Sequence, residues 1–417
     1  MISMSVASPH RYSGALRVDP LAAKERSIRR RVKTAYALLI FNTLTYSPGQ
    51  EIISLPSKVG KLLPNGALPL ALLLLLTVNP KLKLRPNIFL CLVGLLAIDG
   101  IISATQPNPL GTYYRTFRFV EFVVALWLLT PWWGRRDMML FRWHFRVLYT
   151  LVISVAVGMC IRPGKAFSFD NRLSGIIWSM PPTQVAQYAA VAAGLTILLW
   201  VGHRVSGRAA IAGVTFCLVI LILTHTRTAL LGLGAGILVS GMSLFVVNHR
   251  VRRFFGWIAL FASVATVTVA GLITTWLARG QATEDLTTLT GRTNFWALVL
   301  DEPRTLFQEI FGFGLSNASI DGLPIDSNWL SSYQQEGLVG VCVCALMIAF
   351  LLIAAFFQPP GLQRAVILFL VVYCLLASFT EDAFSAPSMY LMELVIAASL
   401  LRVQAADPPG VQPEPIM

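Results

Sequence analysis

Apolar stretches of about 17–25 residues recur along almost the whole length of this 417-residue chain, and nothing else in it constrains the fold so strongly. Coiled as a helix, a stretch of that length crosses a hydrocarbon core of roughly 30 Å. Lipid offers no partner to an unpaired backbone group, so an isolated crossing segment has to be helical. The segments fall at 34–54, 62–79, 86–105, 113–131, 143–161, 184–201, 209–224, 228–247, 254–277, 334–357, 363–379 and 387–402, which is twelve. The first is the least regular, because Asn42, Pro48, Gly49, Gln50 and Glu51 interrupt it. Hydrophobic residues make up 56% of the chain and charged residues 13%. With a mean hydropathy of +0.68, a soluble domain is excluded for want of polar surface. The expected architecture is therefore an all-α integral membrane protein with about 12 transmembrane helices. Residues 1–33 are expected to be a disordered basic tail, and 34–277 to hold helices 1–9. Residues 278–329 would be one large loop between helices 9 and 10, 330–402 helices 10–12, and 403–417 a Pro-rich tail. No small-residue cleavage site follows the first apolar run, so the first helix is expected to serve as the insertion signal.

The net charge of +13 raises the question of nucleic acid, and its distribution answers it. Placing the N-terminus inside puts Arg29, Arg30, Arg31, Lys81, Lys83, Arg135, Arg136, Arg204, Arg208, Arg250, Arg252, Arg253 and Arg364 in short cytoplasmic segments. In all, 22 of the 33 Lys and Arg fall inside and 11 outside. The basic excess is thus an orientation signal with some attraction to anionic headgroups. No nucleic-acid motif accompanies it. Twelve crossings put both termini in the cytoplasm and the 278–329 loop on the outer side.

Cys91, Cys160, Cys217, Cys342, Cys344 and Cys374 all lie in apolar runs and read as small hydrophobes. His225 lacks a second ligand at useful spacing, while His144, His203 and His249 read as cytoplasmic loop residues. No metal site is legible. Gly232, Gly236 and Ser240 form a small-xxx-small row that reads as a helix-packing seam.

The outer basic residues carry more information, because the topological bias acts against them. Arg115 and Arg118 open the fourth span, and Arg118 stands three residues before Glu121, on the same helix face. Charges at that depth need a partner or a wet cavity, so they form either an internal ion pair or a basic wall for an anion. Arg172 lies in Asn-Arg-Leu-Ser-Gly (171–175), and Arg227 in the tight hairpin Thr-His-Thr-Arg-Thr (224–228). Arg227 is either a snorkelling anchor or an anion ligand. Arg292 lies in Thr-Gly-Arg-Thr-Asn-Phe-Trp (290–296), where Thr293 or Asn294 would cap a short helix that Pro303 helps end. Gly-Phe-Gly (312–314) reads as a turn, with an anion-holding nest as the alternative. Asp326 and Glu336 flank the entrance to the tenth span. Asp326 is either a general base or a salt-bridge partner of Arg292 or Arg227; for Glu336 a structural role is favoured.

In series, Arg-Leu-Ser-Gly (172–175), Thr-Arg-Thr (226–228), Thr-Gly-Arg-Thr-x-x-Trp (290–296), Gly-Phe-Gly (312–314) and Asp-Ser-Asn-Trp-Leu…Glu-Gly-Leu-Val-Gly (326–340) resemble the O-antigen ligase and polymerase superfamily. The likeness spans about residues 110–400 and includes the position of the long outer loop. It implies a fold of the C-type glycosyltransferase kind, a glycan donor on undecaprenyl diphosphate, and neither metal nor cofactor. Arginines would replace the divalent cation, because guanidinium groups stay charged and meet phosphate oxygens as a fork. By the resemblance Arg172, Arg227 and Arg292 form the diphosphate clamp, with Arg115 and Arg118 as second choices. In many members the closing motif begins with His and Asn, the His being the base; here Asp326 and Ser327 stand there. A carboxylate has a much lower pKa than imidazole, which weakens ligase chemistry and favours polymerisation of repeat units. The implied setting is the bacterial inner membrane, with membrane lipids, a glycan or lipid-linked acceptor, a flippase and a chain-length regulator as partners. A transporter or flippase would instead show charged or helix-broken sites at the midplane and two similar halves; the sequence pattern shows its polar residues at the outer face.

Overall fold

The computed structural model describes residues 20–46, 51–52, 56–106, 110–134, 138–167, 171–245, 249–253, 292–316, 319–320 and 323–401. Helices cover these residues almost throughout. They are α1 (Pro20–Asn42), α2 (Ser57–Val78), α3 (Ile88–Ser103), α4 (Leu110–Leu129), α5 (Met139–Ile161), α6 (Pro163–Ala166), α7 (Pro182–Val201), α8 (Gly207–Leu223) and α9 (Arg227–Phe245). After these come α10 (Arg292–Asp301), α11 (Leu306–Phe311), α12 (Asn328–Phe356), α13 (Leu362–Ala377) and α14 (Met389–Leu400). A two-residue antiparallel pair, β1 (Ser319–Ile320) with β2 (Leu323–Pro324), precedes α12. Among the described residues five helices are long and apolar enough to cross a membrane, namely α2, α5, α7, α9 and α12; α3, α8, α13 and α14 are shorter and apolar.

Helices occupy the expected apolar segments with two exceptions. The ninth segment, 254–277, lies outside the described residues, as does the loop from 278 to 291. The first helix begins at Pro20, within the basic stretch expected to be disordered, and ends at Asn42 rather than 54. Its start is supported by charges four residues apart: Arg29 binds Glu25 at 3.0 Å across one helical turn. Local chemistry sets other ends. The Asn87 side chain accepts from Phe89 N at 2.8 Å, and Ser388 Oγ accepts from Leu391 N at 3.0 Å. Each satisfies an N–H that the first helical turn leaves without a partner.

Burial grades the helices by position. In α7, 83% of the apolar window is buried, against 33% in α2 and α5. A helix apolar all round and buried all round belongs at the centre of a bundle, and one with an exposed apolar face at its lipid boundary. α14, buried along its whole length, shares the centre with α7. The row on α9 is the seam expected from its small residues: a Cβ at Gly232 would stand 2.8 Å from Tyr373, one at Gly236 2.7 Å from Phe369. Ser240 Oγ donates to Ala365 O at 2.8 Å, closing α9 against α13. Small residues let the two backbones approach.

Loop contacts sort into two sets. At one end Arg85 N donates to Thr130 Oγ1 at 2.9 Å, Arg250 Nη1 to Trp200 O at 3.3 Å and Gln358 Nε2 to Leu401 O at 3.1 Å. At the other Lys165 Nζ donates to Glu51 O at 3.1 Å, Thr380 Oγ1 to Thr228 Oγ1 at 2.9 Å and Asn328 N to Ser378 O at 2.9 Å. Each contact joins segments that the charge alternation assigns to one side.

The long helix α12 is broken at Gly337, whose φ of 64° and ψ of −157° are not helical. A break there strips Gln334 and Gln335 of the helical donors their carbonyls would otherwise meet. Phe313 N supplies the first at 2.9 Å and Gly314 N the second at 2.9 Å. The backbones are pressed together: a Cβ at Gly312 would meet the Gln335 carbonyl carbon at 2.3 Å, one at Gly337 the Ile310 carbonyl carbon at 2.5 Å. Gly312→Ala or Gly337→Ala should each destabilise the protein by roughly 2–3 kcal/mol, combining left-handed strain with overpacking. Thermal unfolding in detergent measures it, and an unchanged midpoint would contradict this packing.

Candidate functional site

The end of the bundle assigned to the outer side gathers most of the polar residues singled out above. Its framework is the turn before α14. Asn328, fully buried at the start of α12, accepts from Ala383 N at 3.1 Å and Phe384 N at 2.7 Å. Asn328→Ala leaves both donors unmatched and should cost about 1–3 kcal/mol per buried group, read as a lower unfolding midpoint. Ser385 Oγ, in the same turn, donates to Glu336 Oε2 and pairs with Ser332 Oγ at 2.8 Å.

Asp382 projects from this turn. It is an exposed residue, with Ser331, Gln335 and the Ala383 N–H as hydrogen-bonding neighbours of its carboxyl. Desolvation is the dominant influence and pushes the carboxyl up to about 6; Ser331, the Arg115 charge, Gln335 and the Ala383 N–H oppose it by favouring the anion. The outcome is an acid poised near neutrality and subject to the Arg115 charge, which suits proton abstraction.

The outer arginines have distinct environments. Arg115 is exposed and donates through Nη1 to Leu315 O at 3.3 Å, fastening the Gly-Phe-Gly segment to α4. Arg118 lies 5.8 Å from the Tyr114 ring, with its Nε buried and without a hydrogen bond. It closes no ion pair with Glu121 among the described residues, so of the two alternatives the internal ion pair is not formed. Arg172 donates through Nε to Thr224 O at 2.9 Å and through Nη2 to Thr226 Oγ1 at 3.0 Å. It thereby fixes the 224–228 hairpin, aided by Leu173 N to Leu223 O at 2.9 Å. Arg227, the first residue of α9 in that hairpin, keeps Nε and Nη2 buried with no hydrogen-bond partner among the described residues. Two buried guanidinium donors left unmatched cost free energy unless an anion completes them.

Several expectations change. Glu336 is fully buried and bonded to Ser385, so it does not stand at an open entrance to bind substrate. The N–H groups of Gly312, Phe313 and Gly314 are spent on Gln308, Gln334 and Gln335, which leaves no nest for an anion. The short helix α10 begins at Arg292, ahead of Thr293 and Asn294, so neither caps it. Only the backbone of Arg292 is described. Asp326 is exposed, just before the buried pair Ser327 and Asn328. His144 is not a loop residue: it is buried in α5, with Nδ1 2.8 Å from Tyr36 Oη. Cys374 is more than a small hydrophobe, since its Sγ donates to the buried Glu393 at 3.3 Å.

Four residues were missed in the sequence. Asp382 lies in a short polar turn without motif or periodicity. Arg304 has a side chain only 5% exposed and a guanidinium 4.1 Å from the Tyr333 ring, and it clamps the loop onto α12. Its Nη2 donates to Val299 O at 2.9 Å and to Gln334 Oε1. Asp99 is 2% exposed with both carboxylate oxygens unbonded among the described residues, and Glu393 is fully buried. The last two carried a signal, an isolated acid inside an apolar span. Asp99 sits four residues from the end of α3 and Glu393 four from the start of α14, each about 6 Å along the helix. They belong to the part of the bundle that the charge alternation assigns to the outer side.

No protein-family model matches the chain, and no curated protein matches it in sequence.

Proposed function

We propose that this chain is a metal-independent membrane glycosyltransferase that polymerises undecaprenyl-diphosphate-linked repeat units of a surface polysaccharide. The setting is the outer leaflet of a bacterial inner membrane, with both termini cytoplasmic. The observation that carries the reading is Arg227: a guanidinium at the bundle end assigned to the outer side, with buried donors that no described residue meets. A diphosphate leaving group supplies the acceptor oxygens such a group lacks. Arg172 holds the hairpin that presents Arg227, and Arg292 at the start of α10 adds a second positive charge from the loop. Arg115 and Arg118 line the approach from α4.

In the reaction, a hydroxyl of one lipid-linked repeat unit attacks the anomeric carbon of the growing chain. The bond to the diphosphate breaks with inversion, and the carrier leaves as the free diphosphate. The hydroxyl proton goes to a carboxylate. Asp382 has the better surroundings for this task than Asp326, because Arg115 and two hydrogen-bonding side chains hold its charged form while desolvation raises its basicity. Asp326 then contributes at the entrance to acceptor placement.

The second reading, a ligase that moves finished glycan to another acceptor, uses the same donor end. Deleting the gene separates them. Loss of a polymerase leaves single repeats on the carrier and on the surface; loss of a ligase leaves long chains accumulating on the carrier. Export or flipping without catalysis would leave chain length unchanged by the Asp382 and Arg227 substitutions.

A further inference from the structure

At the opposite end of the bundle is a cavity of about 630 Å³ lined by Trp200, His203, Arg204, Ser206, Arg250 and Arg253 among others. Among the described residues three arginines and no acid face it, so it has a net positive lining. The N-terminus of α8 opens onto it through Ser206 and Gly207, adding the positive end of a 17-residue helix. Arg250 is held in place by its bond to Trp200 O and by its position 5.9 Å from the Trp200 ring. A plain positive-inside loop needs only scattered charge; here charge from two loops converges on one pocket.

The pocket also continues into an apolar groove of about 460 Å³ that shares Trp200 and Gly207 with it. Ile197, Ala210, Ile211, Val214 and Leu218 form its walls. Ile211 is 71% exposed, so this face of α8 is open to its surroundings. From Gly207 to Leu218 the groove follows about 16 Å of helix, close to half of a hydrocarbon core of roughly 30 Å. A soluble anion would use the pocket and leave the groove empty. An anionic diacyl phospholipid fills both: its phosphate among the arginines, an acyl chain along α8, one leaflet deep.

We propose that this pocket and groove form a binding site for an anionic phospholipid of the phosphatidylglycerol or cardiolipin type, in the leaflet facing the basic loops. The site rests on the membrane placement of the helices and is independent of the glycosyl-transfer reading. Bound lipid would tie the α7–α8 turn to the 249–253 segment and fix that end of the bundle.

The test uses the full-length protein in mild detergent, titrated with fluorescently labelled phosphatidylglycerol and phosphatidylcholine. Wild type should prefer phosphatidylglycerol, and the preference should shrink as salt rises. Arg204→Gln with Arg253→Gln should weaken phosphatidylglycerol binding about thirtyfold, while Arg204→Lys with Arg253→Lys should keep most of it. Val214→Trp, which fills the groove with apolar bulk, should weaken the diacyl lipid and leave inorganic phosphate binding unchanged. Equal binding of the two lipids by wild type would overturn the proposal without recourse to any variant. So would displacement of the label by millimolar phosphate together with no effect of Val214→Trp, which marks a free-anion site. Absence of lipid binding altogether gives the groove to another apolar occupant, such as this chain's own 254–277 segment, and likewise overturns it.

Discussion

Asp382→Asn is expected to lower the rate of polymerisation by a factor of about 10²–10⁴, the range over which a positioned general base contributes. The amide keeps the size of the carboxyl and its contacts with Ser331 and Gln335, so the loss would come from proton transfer rather than from the fold. The pH dependence has a definite sign. A base works in its deprotonated form, and desolvation raises this carboxyl to about 6. Activity should therefore be full above about pH 7 and fall as the pH drops through 6, where the anion is lost. Asp382→Glu should restore part of the rate with a shifted profile. Asp326→Asn should cost far less, since Asp326 is assigned to acceptor placement and not to proton transfer. The reverse ranking, with Asp326→Asn inactive and Asp382→Asn active, would return the base to the position that the family resemblance favours.

The second large effect concerns Arg227. Arg227→Gln should reduce turnover by about 10²–10³, comparable to removing one donor aimed at developing negative charge. Arg227→Lys should recover little, because an ammonium cannot present the fork that meets two phosphate oxygens. Stability should move the other way. Nε and Nη2 of Arg227 are buried without partners among the described residues, so Arg227→Leu removes an unmet desolvation cost and should leave the unfolding midpoint unchanged or higher. Arg172→Ala gives the contrast: it uncovers Thr224 O and Thr226 Oγ1 and should lower the midpoint along with activity. Loss of stability in both variants would make Arg227 a fastener like Arg172, and the diphosphate clamp would lose its centre.

The bundle was legible in the sequence because lipid leaves so few alternatives: an apolar stretch of sufficient length is a helix whatever its neighbours do. The seam at Gly232, Gly236 and Ser240 was legible for a similar reason, since small residues four apart have one main use in a membrane helix. The polar end was not, because its partners are remote. Arg172 finds its acceptors 52 and 54 residues away, and Asn328 its donors 55 and 56 away. No spacing rule connects such residues. Spacing also misled where it allowed a contact without requiring it: Arg118 shares a face with Glu121 yet lies against Tyr114. Gly337 read as part of a continuous helix, because an isolated glycine in an apolar run carries no mark of a break. Only with that break in place do the Phe313 and Gly314 amides acquire their carbonyl partners, which leaves no nest for an anion.

Reconstitution tests whether the chain joins lipid-linked repeat units. Purified protein in phospholipid vesicles, given undecaprenyl-diphosphate-linked repeat units and sampled over time, should convert them into a ladder of longer glycans on a gel. Chelator should not diminish the ladder, and free undecaprenyl diphosphate should appear in step with the bonds formed. Repeat units that stay single, with wild-type protein folded and correctly oriented in the vesicles, would contradict the account.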